Sequence, residues 1–192
     1  MKIILASKSP RRKELLLKIV KDFEVIPSGF DENIINEKEP ERLVEKLSQA
    51  KGEELFTRLK LKEDYIIISS DTIVFFNNKI LGKPKDKEEA FKMLKKLQNN
   101  KHIVYTGLFV LINKPEKIER IVTYSKTEVY FRKITDEEIL NYINIENTLD
   151  KAGAYAIQGK AREFVKKIDG NIETVIGLDV EKLKNILKDY IN

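Results

Sequence analysis

The sequence predicts a mixed α/β protein built on a mixed β-sheet. Three observations lead there. Short apolar runs of strand length alternate with segments whose apolar residues recur every three or four positions, the spacing of a helix face. The most hydrophobic stretch, Tyr65 to Phe76, is rich in isoleucine and too β-branched to be a good helix. Beyond it, Ile103 to Ile112, Ile118 to Tyr124 and Thr127 to Phe131 read as consecutive strands in hairpin order, which a purely parallel sheet does not contain. At 192 residues the chain is read as one domain or one compact two-lobed unit, long enough to bury roughly two-thirds to three-quarters of its unfolded surface.

Each element has a local reason. Ile3 to Ala6 is a short apolar run with the character of a buried strand. Ser9 and Pro10 then open a helix, Ser9 as N-cap and Pro10 at the first helical position, with Leu15/Ile19 and Leu16/Val20 paired on one face. Phe23 to Ile26 is a second strand, followed by the loop Pro27 to Glu32. A longer helix starts at Pro40-Glu41 and carries Leu43, Leu47, Ala50 and Leu55. Asn77-Asn78-Lys79 reads as a hairpin turn from the Tyr65–Phe76 strand into Ile80-Leu81. Asp86 to Glu89 is a capping box ahead of a helix bearing Ala90, Met93, Leu94 and Leu97. A turn at Asn113-Lys114-Pro115 joins the strands on either side, and Thr135 to Glu138 caps a helix ending near Ile145. Phe164 to Ile168 is a strand, Asp169-Gly170 a turn and Val180 to Tyr190 a terminal helix.

Composition narrows the chemistry. There is no cysteine, which removes disulfides, thiolate metal sites, iron–sulfur clusters and thiol nucleophiles. The single histidine, His102, rules out a three-histidine metal site and reads as a surface or strand-edge residue. Lys+Arg 36 against Asp+Glu 31 gives a net charge of +5. Acidic and basic residues alternate without a basic run, and the mild positive excess suits a small anionic ligand as well as a polymer; a stable nucleic-acid partner is not expected. No apolar run approaches the ~20 residues of a membrane span, and Ile3 to Ala6 is too short for a secretory signal; a cytosolic protein is expected.

The informative residues are charges where packing calls for apolar groups. Asp71 lies inside the run Ile66 to Phe75, where a bare buried carboxylate is costly. It either breaks the strand and caps a turn, or serves a cleft as metal ligand or general base. Lys51 stands four residues after Leu47 and four before Leu55, on the apolar stripe of its helix. Spacing alone favours a stem that snorkels outward over an ammonium aimed into a cleft. Ser7-Lys8-Ser9-Pro10-Arg11-Arg12 places two hydroxyls and two guanidinium groups at a helix start, where arginines oppose the dipole: either they await an anion, or this is an ordinary Ser-Pro cap with solvated arginines. Lys83, in Gly82-Lys83-Pro84, can present its ammonium to a phosphate, Gln158 reads as a turn residue, and Asp31 and Glu32 form an acid pair in a loop. Carboxylates able to hold a divalent ion, together with Lys and Arg clamps, are the inventory of phosphoryl or nucleotidyl chemistry. The residues alone point to a metal-assisted enzyme and do not name its substrate.

Taken in order, several motifs closely resemble those of the Maf family of nucleoside triphosphate pyrophosphatases, also called septum formation proteins. They are Leu5-Ala6-Ser7-Lys8-Ser9-Pro10-Arg11-Arg12, Asp31-Glu32, Ala50-Lys51, Ser70-Asp71-Thr72-Ile73-Val74, Gly82-Lys83-Pro84, Tyr105-Thr106-Gly107, Asp150-Lys151-Ala152-Gly153 and Ile157-Gln158-Gly159. The similarity spans essentially the whole chain. It implies an elongated fold related to the inosine triphosphate pyrophosphatases, with a mixed twisted sheet in two lobes around a central cleft, and one domain over residues 1–192.

The resemblance also implies hydrolysis of a nucleoside triphosphate to the monophosphate and pyrophosphate, with a divalent cation, Mg2+ or Mn2+, in a cytoplasmic homodimer. Asp71 becomes the proton acceptor for the attacking water. Ser7, Ser9, Arg12, Lys51 and Lys83 line the phosphate site, and Glu32 and Asp71 lie near the metal. Arg11, Thr72 and Gln158 match the branch acting on dTTP and UTP and differ from the branch acting on 7-methyl-GTP. A role in nucleotide-pool housekeeping and septum control is carried with it, the alternative being a non-catalytic nucleotide-binding regulator of division. Two positions depart from the family pattern. Asp179 stands where proline commonly follows the leucine, and Gly52 stands where alanine is usual, at a helix cost of ~1 kcal/mol.

Overall fold

The structure, a computed structural model, describes residues 1–60 and 63–191. Its strands are β1 (Lys2–Leu5), β2 (Glu24–Val25), β3 (Tyr65–Phe76), β4 (Lys79–Leu81), β5 (Lys101–Lys114), β6 (Lys117–Phe131) and β7 (Val165–Asp169). Its helices are α1 (Pro10–Leu16), α2 (Pro40–Leu59), α3 (Lys87–Leu97), α4 (Asp136–Ile145), α5 (Ile172–Ile176) and α6 (Val180–Leu187). The strands form one seven-stranded sheet in the order β2-β1-β3-β5-β6-β7, with β4 paired to β3. β1 is parallel to β2 and β3, whereas β4 runs antiparallel to β3 and β7 antiparallel to β6. The sheet is therefore mixed, as the hairpin order predicts.

The chain divides into two compact units. The first comprises Met1–Asp71, Thr106–Ser125 and Gly177–Asn192, the second Thr72–Tyr105 and Lys126–Ile176. β3, β5 and β6 each contribute to both.

In the first unit, Ile4, Leu55, Tyr65, Ile67, Phe109 and Leu111 make a buried core. β3 is buried on both faces from Tyr65 to Asp71, as a central strand with a parallel neighbour must be. α2 approaches β3 and β5 closely because two side chains are missing. A Cβ at Gly107 would fall 2.0 Å from the Val44 carbonyl oxygen, and one at Gly52 would fall 2.2 Å from Phe109 Cδ1 and 2.9 Å from Ser69 Oγ. Gly52 thus costs α2 some intrinsic propensity and gains it contact with the sheet. The helix runs through it without interruption. The hydroxyl of Ser69 donates to the Ser48 carbonyl at 2.6 Å, tying strand to helix at the same level.

The second unit has its own core, in which Leu94 and Leu97 of α3, Val129 and Phe131 of β6, Tyr142 of α4 and Phe164 are buried together. Aromatic edges meet faces here: Tyr142 and Phe164 lie 5.2 Å apart between centroids, Phe131 and Phe164 6.1 Å. His102 belongs to this core. It is 1% exposed, its Nε2 lies 2.7 Å from the Tyr155 hydroxyl, and it packs edge-on against Phe131 and Tyr155. Burial pushes its pKa down to about 3. The expectation of a surface or strand-edge histidine is wrong: β5 is an inner strand, and the Phe131 and Tyr155 rings that enclose His102 are remote in sequence.

Most local signals hold, with shifted ends. Ser9, Asp86 and Asp179 cap α1, α3 and α6, and the Thr135–Glu138 box is reciprocal. At α3 only half the box forms, since the Glu89 carboxylate takes the Lys85 N–H instead of that of Asp86. Asn77 and Asn78 have φ of 49° and 57°, the pair of left-handed residues a tight hairpin turn requires. Two expected strands, Ile118–Tyr124 and Thr127–Phe131, are one continuous β6, which passes through Ser125-Lys126, where the Ser125 hydroxyl donates to Asp179 Oδ2 at 2.5 Å. The turn before it lies at Pro115-Glu116. α1 ends at Leu16, short of Ile19, and the one-turn α5 had no signal in the pattern.

Candidate active site

β3 does not break at Asp71. The residue sits seventh of the twelve in the strand and is 7% exposed, so its carboxylate needs a partner. Lys51 supplies one. It is 8% exposed on the face of α2 that meets the sheet, and its ammonium donates to Asp71 Oδ1. Snorkelling, which the spacing favours, is overturned by the close approach at Gly52 and Gly107: the stem runs along the sheet instead of out to water.

The same ammonium lies 2.8 Å from Glu32 Oε1, whose side chain is 43% exposed in the short 3₁₀ turn Glu32–Ile34. Asp31 caps that turn with Oδ1 accepting the Asn33 N–H at 3.0 Å. Two carboxylates from distant segments thus converge on one cation. That donor set fits a divalent ion shared with a polyphosphate, since Mg2+ commonly takes one or two protein carboxylates and fills its octahedron with water and phosphate oxygens. Among the described residues no cluster of three or more metal-ligating side chains forms.

The Ser7–Arg12 segment is put to more structural use than the sequence suggests. Ser7 is buried and its Oγ accepts the Ser9 N–H at 3.1 Å. Arg12 Nε donates to the Gly177 carbonyl at 2.9 Å, and its NH1 lies 3.4 Å from Ser7 Oγ. Ser70 Oγ lies 2.9 Å from that Gly177 carbonyl and 2.7 Å from the one at Gly107. Arg12 therefore joins α1 to the segment entering α6, and the helix dipole of a seven-residue α1 is a minor part of its setting. Burial pulls the Arg12 guanidinium pKa down; the negative charge of Asp71 and Glu32 opposes this, and Arg11 adds to it. Arg11 is half-buried beside it.

The first unit accordingly holds Ser7, Ser9, Arg11, Arg12, Glu32, Lys51 and Asp71. Thr72, Lys83 and Gln158 belong to the second. Thr72 is half-buried on β3, Lys83 is exposed just after β4, and Gln158 is exposed on the expected turn. The Gly153 N–H, at a residue with φ of 65°, donates to the Gly82 carbonyl at 3.0 Å, fixing the backbone next to Lys83. Sequence reasoning includes Ser70 and Lys151 in its motifs but gives neither a role. Ser70 is signalled only by being polar inside an apolar run. Lys151 is buried with its ammonium on the Asn147 carbonyl and on Asp150 Oδ1, 2.8 Å away.

A dTTP/UTP pyrophosphatase of Thermoanaerobacter sp. (strain X514) is 50% identical over 188 residues, covering 98% of this chain and 96% of that protein. The protein of that name from Clostridium beijerinckii is 48% identical over 190 residues, covering 98% and 99%. Among solved structures, a nucleoside-triphosphatase / dITP/XTP pyrophosphatase from Mycobacterium abscessus aligns over 98% of this chain and 95% of its own at 13% identity and a TM-score of 0.42. The family model described as Maf-like protein matches residues 2–190. With that span matched, and with relatives near half identity over almost the full length, the chain belongs to the Maf-like protein family.

Proposed function

We propose that this protein hydrolyses dTTP and UTP to the nucleoside monophosphate and pyrophosphate. The observation that carries the reading is the buried Asp71 carboxylate held through Oδ1 by Lys51, with Glu32 on the same ammonium, in a chain whose relatives bear the name dTTP/UTP pyrophosphatase. A buried acid with a fixed orientation, next to a convergent second carboxylate, is what in-line attack of water on phosphorus needs.

In this mechanism a water opposite the leaving group gives its proton to Asp71 Oδ2 as its oxygen bonds to the α-phosphorus. The bond from the α-phosphorus to the α–β bridging oxygen breaks, and pyrophosphate departs with that electron pair. Lys51 holds the base in place through Oδ1. Ser7, Ser9, Arg12 and Lys83 are assigned to the phosphate oxygens, whose growing charge they stabilise. A divalent cation held by Glu32 and Asp71 would supply further charge neutralisation and a more acidic water. No covalent intermediate is required, which agrees with a chain lacking cysteine and with a histidine committed to the core.

We assign base choice to Arg11, Thr72 and Gln158, hydrogen-bonding groups suited to the O2, N3 and O4 edge of uracil or thymine. A site that hydrogen-bonds a ring edge rejects rings without the complementary pattern, because its own polar groups are left unpaired. Thymine and uracil share that edge and differ by a methyl, worth only ~1–3 kcal/mol. The test is a nucleotide panel read by pyrophosphate release: dTTP and UTP should both be cleaved well ahead of ATP and GTP, with CTP behind. Faster cleavage of 7-methyl-GTP would overturn the base assignment and keep the pyrophosphatase chemistry. Action in the cytoplasm as a homodimer belongs to the same reading; no described helix is long and apolar enough to cross a membrane.

A further inference from the structure

One face of α2 carries more than Lys51. Glu54 and Arg58 follow it at three and seven residues, so all three project from the same side of the helix. Both are committed to the loop that leads to Glu32. Glu54 Oε2 accepts the Ser28 hydroxyl at 2.8 Å and the Gly29 N–H at 2.9 Å, while Oε1 accepts Arg58 Nε at 2.7 Å. Arg58 NH2 donates to the Pro27 carbonyl at 2.8 Å, and Ser28 Oγ in turn accepts the Phe30 N–H at 3.1 Å. These bonds hold residues 27–30 at four points, three of them supplied by the Glu54–Arg58 pair. Two residues on stands Glu32, whose carboxylate meets the ammonium of Lys51 on the same helix.

From this we infer that Glu54, supported by Arg58, is a positioning residue that sets the Glu32 carboxylate against Lys51 and Asp71. The inference rests on the proposed role of Glu32 in the pyrophosphatase site. Its physical content is a chain of fixed points. A 3₁₀ turn of three residues has little stability of its own, so the position of the backbone that presents Glu32 to Lys51 depends on what anchors the loop before it. Glu54 provides charge-assisted bonds to a hydroxyl and a backbone N–H, the strong class of hydrogen bond. Burial pushes the Glu54 carboxyl up, and the bonds from Arg58, Gly29 and Ser28 outweigh that, leaving its pKa lowered. Because the latch and Lys51 share one rigid helix, the loop and the ammonium are placed by the same scaffold.

The test is a double-mutant cycle of Glu54→Gln with Glu32→Gln, read as kcat/KM for dTTP and as the Mg2+ concentration for half-maximal rate, with Arg58→Met as a second route to the same loop. Glu53→Gln serves as control, since Glu53 pairs with Arg120 on another face of α2. Glu54→Gln should cost ~10-fold, the low end for a residue supporting an active-site ligand, and raise the Mg2+ requirement. In the Glu32→Gln background it should add little. Hydrogen exchange read on the same variants, without substrate, should rise over residues 28–34 and stay unchanged in β3. If Glu54→Gln costs its full factor in the Glu32→Gln background, or leaves exchange of that loop unchanged, the positioning role is overturned while the reading of Glu32 stands. Wild-type kinetics in Glu32→Gln alone would overturn that reading, and this inference with it.

Discussion

The Lys51 ammonium, on the apolar face of α2, donates to the Asp71 carboxylate in the interior of β3, twenty residues away in sequence. Neither charge is tolerable there alone. Lys51→Met should lower stability by ~3 kcal/mol, because it strands a nearly buried carboxylate. Adding Asp71→Asn to that variant should recover part of the loss, as the uncompensated charge is removed. Asp71→Asn by itself should keep the fold and lose at least ~100-fold in turnover, the low end for a general base. Denaturant melts of the three variants and pyrophosphate release check this. A fully additive double mutant would mean that the two groups do not depend on each other.

Arg12 and Lys83 should behave differently although both are assigned to the polyphosphate. Arg12 spends Nε on the Gly177 carbonyl, so Arg12→Ala removes a tertiary tie as well as a charge. Its Tm and its kcat/KM should both fall. Lys83 is exposed after β4, and Lys83→Ala should raise KM while Tm stays at the wild-type value. Equal losses of Tm in the two variants would contradict the structural role given to Arg12.

Gly52 should resist the substitution that helix propensity recommends. In an exposed helix Gly→Ala gains roughly 0.5–1 kcal/mol. Here the new methyl would fall 2.2 Å from Phe109 Cδ1, and Phe109 is fully buried. Gly52→Ala should therefore destabilise by ~1–3 kcal/mol through overpacking, and Phe109→Leu in the same chain should return part of it. A Gly52→Ala protein more stable than wild type by calorimetry would show that α2 does not bear on β5 as described.

His102 gives the fold a defined acid sensitivity. Its pKa is 6.5 in the unfolded chain and about 3 in the folded one, because burial disfavours the charged ring. Above pH 7 both states are neutral and the residue contributes nothing to pH dependence. Below 6.5 the unfolded chain takes up a proton that the folded one refuses, so stability falls as pH drops toward about 3, by at most ~1.4 kcal/mol per pH unit. His102→Gln keeps a hydrogen-bonding group for Tyr155 and should lose this component of the slope between pH 6.5 and 4. Parallel slopes for the two proteins would place the histidine outside the core.

What the sequence by itself determined is much of what depends on near neighbours. β3 is delimited to the residue by a β-branched run ending at Asn77-Asn78, where two left-handed residues are affordable. The caps at Ser9, Asp86 and Thr135 are read from side chains that bond the backbone three residues on. The motifs likewise name Asp71, Lys51 and Glu32 without coordinates. Tertiary structure decided where their side chains go. Helical spacing puts Lys51 on the face with Leu47 and Leu55 but is silent on what that face meets. The answer depended on two absent Cβ atoms, at Gly52 and Gly107, that let α2 settle onto the strands and turn a lysine expected to snorkel outward into the partner of a buried acid. His102 was misread for the same reason, since the rings that bury it come from β6 and from residue 155. The Ser125 hydroxyl, midway along β6, finds its partner in Asp179, fifty-four residues further along. Propensity and capping are short-range terms summed along the chain, whereas burial and charge pairing are set by which segments touch.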